Sequence, residues 1–318
     1  MTGAHLFRRV ALIGVGHIGS SLARAIAKHR LAGSIVGCAK TEQTRAKAME
    51  LGLVERMSAD PREAVEGADL VVLCTPLGAY GDLAASFGPV LEPGTIVSDV
   101  GSAKQCVIRD VGPHLPEHVH LVPGHPVAGT EHSGPESGSA ELFEGRWCIL
   151  TPSPEVPEEA VERVAELWRR SGMSVERMDA QHHDYILAIT SHVPHVIAYT
   201  IVGTAEELGQ VTSSEVMKFS AGGFRDFTRI AASDPTMWRD VFLANKDAVL
   251  EMLGTFNEDL SKLTRAIRRG DGEALFDHFA RTRAIRRGIV ELGQDSAAPD
   301  FGRPHPSLPP LLRPYAEE

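Results

Sequence analysis

The stretch RVALIGVGHIGSSLARAIAK, Arg9 to Lys28, leads from an apolar run through three spaced glycines into helical sequence. Gly14, Gly16 and Gly19 form the pattern GxGxxG, which is informative where it closes a strand and opens a helix, as it does here. Gly14 would make a tight turn, Gly16 would let the backbone approach a pyrophosphate, and Gly19 would let helix and strand pack closely. Free N–H groups at the helix start would hold the phosphates. The stretch predicts a dinucleotide-binding site, against the alternative of a purely structural glycine turn.

The first half of the chain repeats this change from apolar run to helical sequence. The runs do not alternate with polar residues, which is typical of strands buried on both faces of a parallel sheet. The predicted strands are Val10–Val15, Ser34–Ala39, Leu70–Cys74, Thr95–Val100, His120–Val122 and Trp147–Leu150. The predicted helices are Ile18–Lys28, Thr41–Leu51 and Ala79–Leu91. This order predicts an α/β Rossmann-type domain, a doubly wound sheet, over residues 1–179.

After about residue 180 the strand pattern ends and long helical periodicity replaces it. Ser233-Asp234-Pro235 is typical of a helix start, with a capping side chain and a proline in the first turn. Apolar residues then recur in steps of four and three, which predicts a helix packed against another helix and ending at Gly270. These residues are Val249, Leu253, Phe256, Leu260, Leu263 and Ile267. We predict an all-α dimerisation domain over residues 180–296, a homodimer, and a Pro-rich disordered tail over residues 297–318.

Composition and charge exclude several classes of protein. The 318 residues are 43% hydrophobic and 23% charged, and the net charge of −10 argues against a nucleic-acid binder. The four cysteines lie far apart without a CxxC pair, which indicates reduced thiols and a cytoplasmic protein. The apolar run Ile186–Gly203 is long enough to span a membrane, but it contains His192, Pro194 and His195. A buried helix is therefore expected there, and no membrane partner.

A polar loop, VPGHPVAGTEHSGPESG from Val122 to Gly138, holds the first candidate for catalysis. Its glycines and prolines argue against a long helix or a regular strand, and they fix the backbone path around His125. An enzyme that oxidises an alcohol with a nicotinamide needs a base for the hydroxyl proton, and histidine titrates near neutrality. His125 also follows an apolar run, so it is expected beyond the carboxyl end of a strand, where α/β sheets bind ligands. The alternative is a surface turn with incidental histidines.

The sequence leaves the cofactor open between NAD and NADP. In NAD enzymes an acid at the end of the second strand binds the adenosine 2′-hydroxyl, and Ala39 occupies that position here. Lys40, Thr41 and Arg45 follow, which suits a 2′-phosphate. The predicted cofactor-binding residues are Gly14, Gly16, His17, Ile18, Gly19, Lys40, Thr41, Thr75 and Pro76.

Five motifs together resemble those of one enzyme family. They are GVGHIG (14–19), DVGSAK (99–104), GHPVAGTEHSG (124–134), SHVPH (191–195) and GGFRDFTRIAASDPTMWRD (222–240). In this order they resemble prephenate/arogenate (cyclohexadienyl) dehydrogenase, the oxidoreductase of tyrosine biosynthesis. The resemblance implies an oxidative decarboxylation, in which a ring hydroxyl becomes a ketone, hydride passes to the nicotinamide and loss of CO2 restores aromaticity. Prephenate would give 4-hydroxyphenylpyruvate and arogenate would give tyrosine, and the sequence leaves that choice open.

The resemblance also implies roles for individual residues. His125 would be the catalytic histidine, hydrogen-bonded to the substrate hydroxyl, and Ser102 would orient it and contact the substrate or the nicotinamide. Arg229 would bind a substrate carboxylate through two parallel hydrogen bonds, with Asp226 holding the arginine or guarding the site entrance. The other predicted substrate-binding residues would line the pocket and its mouth, namely His195, Ser191, Thr130 and Glu131.

Some neighbouring residues have simpler interpretations. Arg225 lies four residues before Arg229, and only the family pattern favours the latter as the carboxylate ligand. His192 and His195 lie three residues apart, a spacing that suits a metal, but no third ligand lies nearby. We therefore expect core or pocket histidines there and no metal site.

Lys104, His182 and His183 are three more polar residues that we do not assign to proton transfer. Lys104 is expected to meet the substrate or a phosphate, or to cap a helix. His182 and His183 are expected at the surface.

Two other functions remain open. A different two-domain NAD(P)-dependent dehydrogenase, acting on a 3-hydroxy acid, would more often use a lysine base from its second domain. A non-catalytic NAD(P)-sensing protein would need the glycine turn but not His125, Ser102 and Arg229 together, because a fold alone does not settle function. We expect no chorismate mutase segment and too little chain past residue 295 for a regulatory domain. Any tyrosine feedback is therefore expected at the active site or through the helical domain.

Overall fold

A computed structural model describes residues 5–129, 132–211 and 222–291. Its main feature is a six-stranded parallel sheet with the strand order β3-β2-β1-β4-β5-β6. The strands are β1 Phe7–Ile13, β2 Ala32–Cys38, β3 Arg56–Ser58, β4 Leu70–Leu73, β5 Ile96–Asp99 and β6 His120–Val122. This order is that of a Rossmann-type doubly wound sheet and confirms the predicted fold class.

A second, three-stranded sheet lies beyond β6. Its strands are β7 Gly124–Pro126, β8 Trp147–Leu150 and β9 Ser174–Arg177, in the order β7-β8-β9. Trp147–Leu150 is thus a strand as predicted, but the expectation that it belongs to the parallel sheet is wrong. The expectation that the polar loop contains no regular strand is also wrong, because His125 pairs with Ile149 in antiparallel register. Pairing with β8 makes this segment extended, whereas its own sequence has no apolar period.

Six helices cover the parallel sheet, and two apolar cores fill the space between. The helices are α1 His17–His29, α2 Glu42–Glu50, α3 Pro61–Val65, α4 Tyr80–Phe87, α5 Gln105–Val111 and α6 Glu158–Arg170. Along β1, Val10 and Leu12 belong to one core, which also contains Trp168 of α6. Ala11 and Ile13 belong to the opposite core. Both faces of the sheet are therefore buried, as the unbroken apolar runs predict.

The chain after residue 179 is helical wherever it forms regular structure among the described residues. Its helices are α7 Ala180–Leu187, a π-helical turn Ala188–His192, α8 Val193–Val211, α9 Gly222–Thr228, α10 Pro235–Ala244, α11 Lys246–Arg269 and α12 Gly272–Glu291. The predicted helix start is confirmed, because the Asp234 side chain accepts hydrogen bonds from the backbone N–H groups of Thr236 and Met237. Trp238 and Val241 of α10 lie in the second core, so this half docks on the sheet.

Much of the apolar surface of the helical half is exposed among the described residues. The continuous helix Ala180–Glu207 is long and apolar enough to cross a membrane by length and composition. Only 28% of its most apolar window is buried by the described residues, so this run is less buried than the sequence leads one to expect. On α11, Val249 is buried but Ile267 is 65% exposed, and on α12 Phe276 is 71% exposed. We call six exposed apolar side chains of α11 and α12 the apolar helical face: Leu250, Leu260, Ile267, Phe276, Phe279 and Ile285.

Candidate active site

The glycine motif forms a turn between β1 and α1, and a different physical reason favours glycine at each of its three positions. Gly14 has φ of +104°, and a Cβ there would lie 2.8 Å from the Cys74 backbone. A Cβ on Gly19 would collide with the Gly14 carbonyl oxygen, so this glycine permits the close approach of helix and strand. At Gly16, a Cβ would meet no described atom within 4 Å apart from those of its chain neighbours, which leaves the space above the helix start open. These three environments are those that dinucleotide-binding turns require.

The start of α1 suits a phosphate. Gly16 provides no capping side chain and the first turn of α1 contains no acid, so neither offsets the positive end of the helix. Thr75, which follows β4 and packs against the Gly14 turn, has a buried Oγ1 without a hydrogen-bond partner among the described residues. A bound ligand with polar groups would satisfy that hydroxyl. His17 is fixed beside this start because its Nδ1 lies 3.0 Å from Ser137 Oγ. The predicted cofactor residues His17 and Ile18 thus begin α1, and Thr75 and Pro76 follow the neighbouring strand β4.

The end of β2 is where an enzyme would distinguish NAD from NADP. Lys40 is exposed, and Thr41 caps α2 by accepting the N–H of Thr44 at 3.2 Å. Arg45 is less free than the sequence indicates, because its Nη1 donates to the carbonyl oxygens of Ala39 and Lys40 at 2.8 Å. Of these three side chains, Lys40 alone is both exposed and without a described hydrogen bond, whereas Thr41 and Arg45 hold the loop between β2 and α2.

His125 lies in β7, directly beyond the carboxyl end of β6 as expected, and only 7% of its surface is exposed. Gly124, the residue before His125, is bound by hydrogen bonds through both its N–H and its carbonyl group. The Gly124 N–H donates to Asp99 Oδ1 at 3.1 Å, and its carbonyl accepts from Lys104 Nζ at 2.7 Å. Asp99 Oδ2 in turn accepts the Gly101 N–H at 2.7 Å. The end of β5, the loop that carries Ser102 and the strand that carries His125 are thereby held together.

Two residues of α7 orient the imidazole of His125. His125 Nδ1 lies 2.9 Å from His183 Nε2, and His183 Nδ1 lies 2.8 Å from Asp184 Oδ1. His183 and Asp184 are fully buried. The expectation that His183 is a surface residue is wrong, whereas His182 is exposed as expected. Neighbouring residues on a helix differ by about 100° in direction, so one of the pair enters the core and the other does not.

The chain of hydrogen bonds defines which nitrogen of His125 is able to accept a proton. The Asp184 carboxylate only accepts, so His183 Nδ1 carries the proton and its Nε2 accepts. His125 Nδ1 must then donate, which leaves the lone pair on His125 Nε2. Burial lowers the pKa of His125 well below 6.5, with further lowering by His183, Lys104 and His192. His125 is therefore neutral at physiological pH, with Nε2 ready to accept a proton.

Asp184 is held in its charged form by several donors. It accepts the backbone N–H of Lys104 at 2.7 Å and that of Gln105 at 3.0 Å, in addition to His183. Burial opposes ionisation, but these hydrogen bonds outweigh it and lower the pKa of Asp184. Asn245, at the start of α11, donates to the Asp184 carbonyl oxygen at 2.8 Å. The group that orients His183 is thus tied to both halves of the chain.

A second pair of histidines lies on the π-helical turn and the start of α8. His192 is buried, and its Nδ1 lies 3.1 Å from Asn245 Nδ2. Burial lowers the pKa of His192 to about 4. His195 stacks on Trp238 with ring centroids 3.5 Å apart, and its Nδ1 lies 2.9 Å from the Ser191 carbonyl oxygen. That carbonyl makes Nδ1 the donor, so Nε2 of neutral His195 is free to accept. Burial lowers the pKa of His195, with a smaller contribution from Arg229 nearby.

Two family models match almost the whole described chain. Residues 22–177 match the nucleotide-binding domain of prephenate dehydrogenase, and residues 179–281 match its dimerization domain. The chain belongs to the prephenate dehydrogenase family. This result agrees with the resemblance seen in the five motifs.

Individual members of the prephenate dehydrogenase family are similar over most of their length. The cyclohexadienyl dehydrogenase of Zymomonas mobilis is 42% identical over 89% of this chain and 97% of its own. The prephenate dehydrogenase of Bacillus subtilis is 33% identical over 92% of this chain and 78% of its own. The crystal structure of Aquifex aeolicus prephenate dehydrogenase in complex with hydroxyphenyl propionate and NAD+ is 32% identical, with a TM-score of 0.84, and covers 91% of this chain and 100% of that one.

The remaining predicted site residues of this prephenate dehydrogenase family member are Ser102, Arg229, Asp226, Thr130 and Glu131. Ser102 follows β5 and is half-buried, with its backbone against His192. Arg229 begins a short 3₁₀ turn after α9 and is exposed, and Asp226 accepts from Arg225 Nε at 3.2 Å. Thr130 and Glu131 lie outside the described residues.

Lys104 is the N-cap residue of α5, as one expectation has it, but its side chain does not lie where the other expectation places it. Its side chain is fully buried and bound to Asp99 and the Gly124 carbonyl, so it is not available to a phosphate or a substrate. It makes no side-chain capping bond to α5.

Sequence reasoning also overlooked Asp99, His183, Asp184 and Asn245. The run HHD, residues 182–184, was the one available signal, because it puts two imidazoles and a carboxylate on one helical turn.

Proposed function

We propose that this protein is an NAD(P)+-dependent dehydrogenase that oxidatively decarboxylates prephenate, arogenate or both. The observation that carries the proposal is the neutral, buried His125, whose Nε2 is made the proton acceptor by His183 and Asp184. It lies at the carboxyl edge of a sheet whose glycine turn fits a dinucleotide. Family membership gives the substrate class, and the Aquifex relative binds NAD+ and a phenol with a carboxylated side chain, which resembles the product.

His125 has one task in this reaction. Its Nε2 takes the proton of the ring hydroxyl while the carbon that carries the hydroxyl gives up a hydride. When bound, the nicotinamide accepts that hydride. The bond between the ring and its carboxylate then breaks, CO2 leaves, and the electron pair enters the ring. The oxygen takes back the proton from His125 and becomes the phenol, so the protein ends in its starting state.

We propose that the remaining site residues bind and orient the substrate. Arg229 would pair with a substrate carboxylate, and its influence on the pKa of His195 supports a place near that histidine. His195 Nε2 and Ser191 would contribute polar contacts on the same side. Ser102 would lie between the substrate and the nicotinamide, at the loop that the Lys104–Asp99 pair holds. Thr130, Glu131 and Asp226 are proposed for the mouth of the site.

We also propose an assembly and a location. A homodimer formed through the apolar helical face would cover side chains such as Ile267 and Phe276, which a single chain exposes. The domain division proposed from sequence, 1–179, 180–296 and a tail over 297–318, places the catalytic base and its orienting pair on opposite sides of the first boundary. We propose a cytoplasmic location, which the four free thiols of Cys38, Cys74, Cys106 and Cys148 support.

The test is the formation of reduced nicotinamide by the purified protein. Prephenate and arogenate are each offered with NAD+ and with NADP+, and His125→Asn is measured beside the wild type. A general base is worth roughly a hundred- to ten-thousand-fold in rate, so we expect turnover by the wild type and a loss of that size in the variant. Four flat reactions from a protein that binds NAD(P)H would refute the proposed function.

A further inference from the structure

Lys104 lies where three segments of the proposed site meet, and its ammonium group has no access to solvent. Nζ donates to Asp99 Oδ2 at 2.5 Å and to the Gly124 carbonyl oxygen at 2.7 Å. Its side chain therefore connects the end of β5 to the strand that carries His125. A buried ion pair of this kind adds little to stability compared with apolar side chains of the same volume. Its position next to the catalytic strand calls for another explanation.

The backbone of Lys104 is part of the same arrangement. Its N–H donates to Asp184 Oδ1 at 2.7 Å, and that oxygen also accepts from His183 Nδ1. His183 then meets His125, whose neighbour Gly124 is bound by the Lys104 side chain. The contacts form a closed ring, which we call the Lys104 ring: Lys104, Asp184, His183, His125 and Gly124.

We propose that Lys104 is a positioning residue for proton transfer at His125. Its side chain fixes the strand from which the imidazole projects, while its backbone N–H fixes the carboxylate that orients His183. The two ends of the hydrogen bond between His125 and His183 are thus held by one residue. This inference rests on the proposed function and adds a residue that neither touches the substrate nor titrates in the reaction.

The ring has an electrostatic consequence besides the geometric one. The groups that face His125 are His183, Lys104 and His192, and the charges of Asp99 and Asp184 lie behind them. The Lys104 ammonium is among the groups that lower the pKa of His125, after burial and His183. Loss of that cation raises the pKa of His125. The acid limb of the kcat profile then moves to higher pH, because only the neutral imidazole accepts the proton.

Two variants and one control test the role of Lys104. Lys104→Met removes the ammonium and keeps the length of the side chain, but it leaves Asp99 buried without its partner. The double variant Asp99→Asn/Lys104→Met removes both charges and restores a neutral interior. Lys28→Met is the matched control, because Lys28 is a partly exposed lysine that pairs with Glu141 and Glu144 in the same half of the chain.

Each protein is assayed for thermal unfolding, NAD+ affinity, kcat, KM and the pH dependence of kcat. We expect kcat to fall about 10- to 100-fold in both variants, as for other losses of alignment at a reacting atom. NAD+ affinity should stay within about twofold, because the glycine turn is not part of the ring. In Lys104→Met the acid limb should move to higher pH. Lys28→Met should match the wild type in every respect.

The outcomes separate this inference from the proposed function. A wild type that binds NAD+ but oxidises neither prephenate nor arogenate refutes the proposed function. An active wild type beside a folded variant with unchanged kcat and unchanged acid limb overturns the role of Lys104. If Lys104→Met does not fold, the double variant decides by the same measurements. Failure of both to fold would make the pair a folding element and would equally overturn the proposal.

Discussion

His183 provides the sharpest test of how this site prepares its base. His183→Leu removes the acceptor for His125 Nδ1 and puts an apolar side chain in its place. The neutral ring then loses the contact that favours a proton on Nδ1 over one on Nε2. A ring with the proton on Nε2 has no lone pair for the substrate hydroxyl, so the fraction of competent enzyme falls.

The size of the effect follows from the burial of the contact. His183 is fully buried and His125 nearly so, and leaving a buried donor without a partner costs about 1–3 kcal/mol. At about 1.4 kcal/mol for each factor of ten, this corresponds to a roughly 5- to 150-fold loss of the competent tautomer. The loss in kcat should therefore be about 10- to 100-fold, which is smaller than the effect of removing His125 itself.

The assay compares three variants with the wild type under saturating cofactor. His183→Gln places an amide oxygen near the position of the lost nitrogen, so it should recover much of the activity that His183→Leu loses. His182→Leu is the matched control, since His182 is the adjacent exposed histidine, and it should behave as the wild type. Full kcat in His183→Leu, or equal damage in the leucine and glutamine variants, would show that His183 does not control the tautomer.

Three further predictions concern the substrate, the cofactor and stability. Arg229→Ala should raise KM for the substrate by roughly 10- to 100-fold through loss of a charged double hydrogen bond, whereas Arg225→Ala should not; equal effects would reject this assignment. Lys40→Asp should lower the affinity for NADP+ relative to NAD+ by about tenfold or more in binding titrations, since a carboxylate repels a 2′-phosphate; an unchanged ratio would place the ribose elsewhere. Because the pKa of His192 falls from 6.5 to about 4 on folding, the unfolded chain binds a proton more tightly. The contribution of His192 to the free energy of unfolding should therefore be fully present above pH 6.5 and fall by about 2–3 kcal/mol as the pH drops to about 4.5, in addition to the contributions of other buried histidines. In urea titrations the total fall should be smaller in His192→Asn.

The sheet was predictable because its signal is local. β1, β2 and β4 are apolar runs that the sequence shows directly. The glycines after β1 are required by steric constraints that hold in any protein of this fold. β7 was not predictable, since Gly-His-Pro has no apolar period and becomes a strand only by pairing with β8, some twenty residues later. His125 was nevertheless found, because glycine and proline on either side restrict the backbone whatever it pairs with.

The partners of His125 were missed for a different reason. His182 and His183 are adjacent and chemically identical, and nothing in the run QHHDY says which of them points inward. That choice depends on how α7 docks against the start of α5, where Asp184 accepts two backbone N–H groups. Tertiary contacts of this kind are not encoded in a periodic pattern. The same holds for Lys104, whose ammonium is buried only because Asp99 and Gly124 meet beside it.

The position of these contacts explains why the site needs both halves of the chain. The sheet half contains the glycine turn and His125, but the lone pair of His125 is placed by His183 and Asp184, which lie near the start of the helical half. Asn245, farther along that half, holds the Asp184 backbone, so the orienting pair is braced by α11 as well. In the proposed site, docking of the two halves would therefore do more than enclose a substrate between them. It would select the protonation pattern of His125, and any change that loosens this docking should reduce proton transfer before it reduces cofactor binding.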